Sequence, residues 1–73
     1  MIVLIDATNI SQDVLIRLVQ TKDGRYFIER WINREWAKSS FFPILEETAK
    51  ELMNLSVEDA WHHMEMYVMQ RNP

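Results

Sequence analysis

Residues 13–33 read DVLIRLVQTKDGRYFIERWIN, and this stretch decides the fold. Two apolar runs rich in β-branched and aromatic residues flank residues 21–25, which contain the only glycine of the chain, Gly24. Asp23 suits the third position of a type I turn, and Gly24 supplies the left-handed φ that closes the turn with a bulge. The stretch therefore predicts a β-hairpin with strands over about 13–20 and 25–33.

The turn also predicts the register of the hairpin. If Thr21 faces Arg25, counting outward places Arg17 opposite Glu29, and such a cross-strand charge pair favours this alignment. A slip of one residue would break the pair and exchange the two faces of the hairpin. The first face then carries Val14, Ile16, Leu18, Tyr26, Ile28 and Ile32, interrupted by Gln20 and Arg30. The second face carries Leu15, Val19, Phe27 and Trp31 around the Arg17–Glu29 pair.

Both faces of the hairpin are thus apolar, and 73 residues are few for covering both. An uncovered apolar face normally meets another molecule, and aromatic and aliphatic residues around a charge pair are typical of interfaces. We therefore expect the second face to bind a protein. The predicted interface residues are Leu15, Arg17, Val19, Phe27, Glu29 and Trp31. Alternatively, Trp36 and Phe41 or Phe42 fold back over this face.

The segments on either side of the hairpin are shorter. Residues 2–5 are four consecutive apolar residues and predict a strand beside the hairpin, buried on both sides, which ends at the turn-prone residues 6–9. Residues 34–40 mix charged, aromatic and small side chains and receive no assignment.

Two helices are predicted after residue 42. Pro43 suits the first turn of a helix, where its missing N–H is no loss, and spaced apolar residues extend this helix over 43–53. Ser56 is a good cap for a second amphipathic helix over about 57–71. The sequence therefore predicts one α+β domain over 1–73, in which a small antiparallel sheet is packed by a C-terminal two-helix hairpin, in the order β-β-β-α-α.

Composition limits the classes of function. The chain has no cysteine, so neither a disulfide framework nor a thiolate zinc site is expected. No segment has the length of a membrane span or the features of a signal peptide, and a cytoplasmic protein is predicted. Residues 1–43 hold six Lys or Arg and five Asp or Glu, whereas residues 44–73 hold two and six, so the helical half is the acidic one.

An apolar strand that ends in an aspartate, with an asparagine three residues later, occupies residues 2–10. This pattern resembles the first strand of PIN- and NYN-type nucleases, in which the aspartate helps to hold a divalent metal that activates water. The resemblance implies a metal-dependent nuclease that uses Asp6. It covers about nine of the 73 residues, and a β-hairpin follows where those domains alternate strands and helices. The alternative is a strand that enters a turn stabilised by the Asp6 side chain.

A short hairpin followed by a helix that begins Ser56-Val57-Glu58-Asp59-Ala60 is similar to antitoxins of the HicB type. The Pro-Gly-Cys element of those proteins is absent. In the same helix, His62 and His63 each have a carboxylate four residues earlier, but adjacent helical residues point about 100° apart, so a metal site is not expected. Met64 follows the spacing of the apolar face, whereas Met66 and Met69 do not.

Arginines and aromatic residues also alternate along residues 17–36. Cations and aromatic platforms on a sheet are one way of holding single-stranded nucleic acid, which makes a nucleic-acid-binding accessory protein the main alternative. No nucleophile elbow, phosphate loop or dinucleotide motif is present. We therefore expect a small non-enzymatic interaction module, such as a regulator, inhibitor, immunity protein or antitoxin, that binds a partner protein and forms a homodimer, without a cofactor or metal.

Overall fold

The computed structural model describes residues 1–32 and 40–71. Four strands form one antiparallel sheet in the order β1-β2-β3-β4, and two helices follow. The elements are β1 (Ile2–Ala7), β2 (Val14–Gln20), β3 (Tyr26–Ile32), β4 (Ser40–Ile44), α1 (Glu46–Met53) and α2 (Val57–Arg71). The predicted α+β class and the sheet followed by a helical pair are confirmed, with the fourth strand as an addition.

The hairpin of β2 and β3 forms around the predicted turn. The Thr21 N–H donates to the Arg25 carbonyl at 2.9 Å, and the Gly24 N–H donates to the Thr21 carbonyl at 3.0 Å. Gly24 has a φ of +84°, the left-handed conformation that glycine adopts without strain. The register is the predicted one throughout, and Arg17 lies opposite Glu29.

The segment around Pro43 corrects the prediction of a helix over 43–53. Residues Ser40–Ile44 form β4, which pairs with β3 and places Pro43 opposite Phe27. Proline has no N–H to donate, and it is therefore accepted in edge strands as well as in first helical turns. The helix begins three residues later, at Glu46.

Strand β1 also differs from its prediction. It pairs with β2 as expected, but it extends to Ala7 and contains a bulge between Val3 and Ile5. The expectation that it is buried on both sides is wrong, because β1 is an edge strand of the described sheet and Ile2 is 61% exposed.

The core lies between the first face of the sheet and the two helices. It contains Ile5, Ala7, Ile16, Leu18 and Ile28 of the sheet, Ala49 and Leu52 of α1, and Ala60, Met64 and Val68 of α2. The α2 residues recur at every fourth position, so they form one stripe along the helix. Helix α2 begins with a cap in which the Asp59 N–H donates to Ser56 Oγ at 3.2 Å, as predicted. Ile32, assigned to the first face, is 44% exposed at the end of β3.

Two polar contacts fix α2 against the sheet. Trp61 Nε1 donates to the Val14 carbonyl at 3.2 Å, at the start of β2. Arg30, which interrupts the apolar first face, donates from Nε and Nη2 to the two carboxylate oxygens of Glu65, each at 2.9 Å. No helix in the described part of the chain combines the length and the apolar character needed to cross a membrane.

Candidate interaction surface

The structure brings the six predicted interface residues together on the second face. Leu15 pairs with Trp31, Arg17 with Glu29, and Val19 with Phe27. These three cross-strand pairs follow each other along the hairpin, and they all point away from the helices. The predicted grouping is therefore confirmed, whereas the binding role of these residues stays a prediction.

The exposure of the second face differs from the expectation of an uncovered surface. Val19 is fully buried, and Leu15 and Trp31 are only 7% and 6% exposed. Glu29 is buried as well. Part of this burial is due to contacts within the second face. The guanidinium carbon of Arg17 lies 4.7 Å from the centre of the Trp31 ring and shields it from water. Trp36, which the sequence suggested as a cover, lies outside the described residues.

A row of charged groups crosses the second face over three strands. Asp6 of β1 pairs with Arg17 of β2, which pairs with Glu29 of β3. Arg17 Nε donates to Glu29 Oε1 at 2.9 Å, and its Nη2 donates to the same oxygen. Arg17 therefore lies between two carboxylates, of which the Glu29 carboxylate is shielded from water. The row therefore carries two negative charges and one positive charge.

The Asp6 carboxylate has partners of its own in the turn after β1. Asp6 Oδ1 accepts hydrogen bonds from the Thr8 hydroxyl at 2.6 Å and from the Thr8 N–H at 3.1 Å. These two bonds, with a smaller contribution from the charge of Arg17, lower the pKa of Asp6 below its usual value. The turn stabilised by its aspartate side chain, the alternative to a metal-binding role, is thus the arrangement observed.

The exposed part of the second face forms an apolar rim along one side and at one end of this charge row. Val3 of β1 and Phe41 of β4 are 42% and 46% exposed, and Phe27 is half-buried. The rings of Phe27 and Phe41 meet edge to face, with centroids 6.3 Å apart. The guanidinium carbon of Arg25 lies 5.5 Å from the centre of the Phe27 ring.

Sequence reasoning missed Phe41 as a member of the second face, since β4 was not predicted. The signal that could have found it is the alternation in residues 40–44. Phe41 and Pro43 face one side of β4, whereas Phe42 and Ile44 pack against the core on the other. A shallow cleft of about 370 Å³ lies beside this rim, between the hairpin turn and the start of α1.

The arginines that suggested nucleic-acid binding are engaged by carboxylates in the described structure. Arg17 pairs with Glu29, Arg25 Nε donates to Asp23 at 2.8 Å, and Arg30 pairs with Glu65. Phosphate binding depends on cations that are available to replace counterions. These ion pairs therefore weaken the case for a nucleic-acid platform, and Arg34 lies outside the described residues.

The remaining candidates lie on α2. His62 and His63 are exposed, and the His62 ring stands at 89° to the Trp61 ring, with centroids 5.0 Å apart. Among residues 1–32 and 40–71, no group of three or more His, Asp or Glu side chains is arranged to hold a metal ion. Met64 is buried as predicted, and Met66 and Met69 are exposed.

Comparison of the chain with protein-family models, with curated proteins and with solved structures finds no match. The geometry of the sheet is therefore the basis on which a function is inferred.

Proposed function

We propose that this chain is a small interaction module that binds a partner protein through the second face of its sheet. The observation that carries the proposal is the apolar rim, in which Val3, Phe27 and Phe41 remain accessible beside the row of charges. Aromatic side chains dominate the binding energy of many interfaces, and a rigid sheet holds them in fixed positions. In this proposal the protein acts by occupying a surface of its partner.

The mixture of positive and negative groups on the second face indicates the chemistry of the partner. Arg17 lies between Glu29 and Asp6, and Arg25 pairs with Asp23, so each positive group has a negative group beside it. A strongly charged partner would gain little from such a surface, because its charges would meet both signs. The expected partner therefore presents aliphatic or aromatic side chains, with polar groups at the edge of the contact.

In this proposal the direct contacts are made by one of the six predicted residues, Phe27, and by Phe41, which was not predicted. The side chains of Trp31 and Val19 are buried and form the floor of the surface. Phe27 and Phe41 are accessible and can contact a partner directly. Arg17 lies partly exposed between the floor and the rim, where its guanidinium orients the contact.

The proposal is tested by affinity capture from the native cell, followed by titration of the captured protein against purified variants. Phe41→Ala should weaken binding about tenfold or more, which corresponds to about 1.4 kcal/mol or more at a central aromatic. Met69→Ala is the matched control, because Met69 is 68% exposed on the opposite layer. Thermal unfolding of both variants checks that each is folded.

Two results would overturn the proposal. One is a captured partner that binds wild type and Phe41→Ala equally but loses affinity for Met69→Ala, which would place the contact on α2. The other is the absence of any protein that wild type captures and Phe41→Ala fails to capture.

A further inference from the structure

Strand β1 lies at one edge of the described sheet. Within the described sheet it has a single neighbour, β2, so its other side carries backbone N–H and C=O groups that no described strand pairs. Such an edge is a ready template for a further strand. The exposed side chains add to this, because Ile2 is 61% exposed and Val3 is 42% exposed.

The two edges of the described sheet differ in their protection. Proteins protect edges with prolines, with charged residues, especially lysine, and with bulges. Strand β4 contains Pro43, which offers no donor, whereas β1 contains neither proline nor a basic residue. Its single charged side chain, Asp6, is held in the following turn by Thr8, which leaves the apolar segment Ile2–Ile5 and one bulge.

We propose that β1 pairs antiparallel with β1 of a second copy of this chain, giving a two-fold symmetric sheet of eight strands. A two-fold axis places the same segment on both sides of the contact, and the segment Ile2–Ile5 is uncharged, so like charges do not oppose each other. Asp6 is the charged group nearest to the axis, and Arg17 lies beside it within its own copy. The acidic helical half of each chain contributes no strand to this edge.

The pairing would also extend the second face. Val3 lies in one cross-strand row with Val19, Phe27 and Pro43, so a partner β1 would continue this row into the second copy. The dimer would carry two copies of the apolar rim on one continuous surface. The pairing itself is independent of the proposed partner binding, and either can fail without the other.

A six-residue edge gives an interface at the small end of the range, so a concentration-dependent dimer is expected rather than an obligate one. Sedimentation equilibrium should show a mass that rises from 8.8 kDa toward twice that value with concentration. Val3→Lys should abolish this rise, because a lysine at the contact opposes burial and repels its own copy. Met69→Lys, a matched change of an exposed apolar residue, should leave the rise unchanged.

The absence of cysteine allows a second measurement that does not depend on a disruptive variant. Under mild oxidation, either Ile2→Cys or Val3→Cys should form an interchain disulfide, because the residue nearest the two-fold axis lies opposite its own copy, with Cβ atoms about 5 Å apart. Met69→Cys should form at least tenfold less interchain disulfide under the same conditions.

Four outcomes would overturn the pairing, of which the first three concern the purified protein. The first is a wild type of 8.8 kDa at every concentration, and the second is equal cross-linking of all three cysteine variants. The third is a dimer that still forms in Val3→Lys. Circular dichroism checks that each purified variant is folded. The last would be seen by hydrogen exchange. If the β1 amides are protected only when a different, captured protein is added, the edge belongs to that protein instead. Phe41→Ala removes a rim residue that is remote from the β1 edge, and it should leave the rise of the mass with concentration unchanged. This variant therefore separates the test of dimerisation from the test of partner binding.

Discussion

Arg30 and Glu65 join the sheet to α2 through two parallel hydrogen bonds, although 35 residues separate them in sequence. Their side chains are only 15% and 13% exposed, so both charges are largely removed from water. Arginine and carboxylate match each other in this two-pronged geometry, which fixes orientation as well as distance. The pair therefore fixes the position of α2 along β3.

Removing one member of this pair should be costly. Glu65→Leu should lower the free energy of unfolding by about 2–4 kcal/mol, because it leaves the Arg30 guanidinium without its partner in a shielded site. Adding Arg30→Met to that variant should recover much of the loss. Urea unfolding of the four members of this double-mutant cycle measures the coupling.

The exposed pair of Lys50 and Glu46 is the control, with its atoms 3.6 Å apart on the outside of α1. Disrupting it by Lys50→Met should change the free energy of unfolding by less than about 0.5 kcal/mol. Equal effects at the two pairs would contradict the structural role assigned to Arg30 and Glu65.

Trp31 and Phe41 should respond differently to truncation because they lie at different depths in the second face. Trp31→Ala should lower the free energy of unfolding by about 3–5 kcal/mol, the range found for buried aromatic residues. Phe41→Ala should cost about 1–2 kcal/mol, since nearly half of Phe41 is already in contact with water. A smaller effect at Trp31 than at Phe41 in chemical denaturation would show that the face is open at its centre.

Thr8 should control the acidity of Asp6. Thr8→Ala removes the hydroxyl donor and retains the backbone N–H, so the pKa of Asp6 should rise toward its ordinary value of 3.8. In the wild type the folded state has the lower pKa, so Asp6 contributes stability above pH 3.8, and this contribution is lost as the pH falls through the folded pKa.

The free energy of unfolding should therefore fall less steeply with decreasing pH for Thr8→Ala than for wild type. An NMR titration of the Asp6 carboxyl carbon measures the pKa directly. Thr21→Ala, at the hairpin turn, is the control and should leave the Asp6 titration unchanged. An unchanged Asp6 pKa in Thr8→Ala would contradict the hydrogen bonds as the cause.

Gly24 should be sensitive to substitution for a purely conformational reason. Apart from Gly24 itself and its two chain neighbours, no described residue has a heavy atom within 4 Å of the position that a Cβ would take, so Gly24→Ala meets no steric obstacle from the rest of the structure. Its φ of +84° nevertheless penalises any L-residue, and a cost of about 1–2 kcal/mol is expected. Gly24→Asn should cost less, and Lys22→Ala, in the same turn, should be nearly neutral in thermal unfolding.

The hairpin could be predicted from sequence because its information is local. Residues 21–25 specify the turn, the turn specifies the register, and the register assigns every side chain between Val14 and Ile32 to a face. Helix α2 could be predicted equally well from the sequence, since its cap at Ser56 and its apolar stripe lie within one segment. The part of the second face that β2 and β3 contribute was therefore predicted correctly, whereas Val3 and Phe41 from the neighbouring strands were not.

The errors arose where the outcome depends on distant parts of the chain. Pro43 is compatible with both an edge strand and a helix start, and only pairing with β3 decides between them. The burial of Leu15 and Trp31 depends on what surrounds the hairpin, which period-two alternation does not describe. Arg30 looked like an interruption of an apolar face because its partner, Glu65, lies on another element.

The position of α2 has a consequence for how the chain is made in the cell. Each strand pairs with the next one in sequence, so the sheet can assemble as it leaves the ribosome. Its first face is closed by Met64 and Val68, which are synthesised long after Ile5, Ile16 and Ile28. During translation the nascent sheet therefore exposes its future interior for the time needed to add some 40 residues. This interval is when the chain is most vulnerable to aggregation, and when a chaperone would have most to bind.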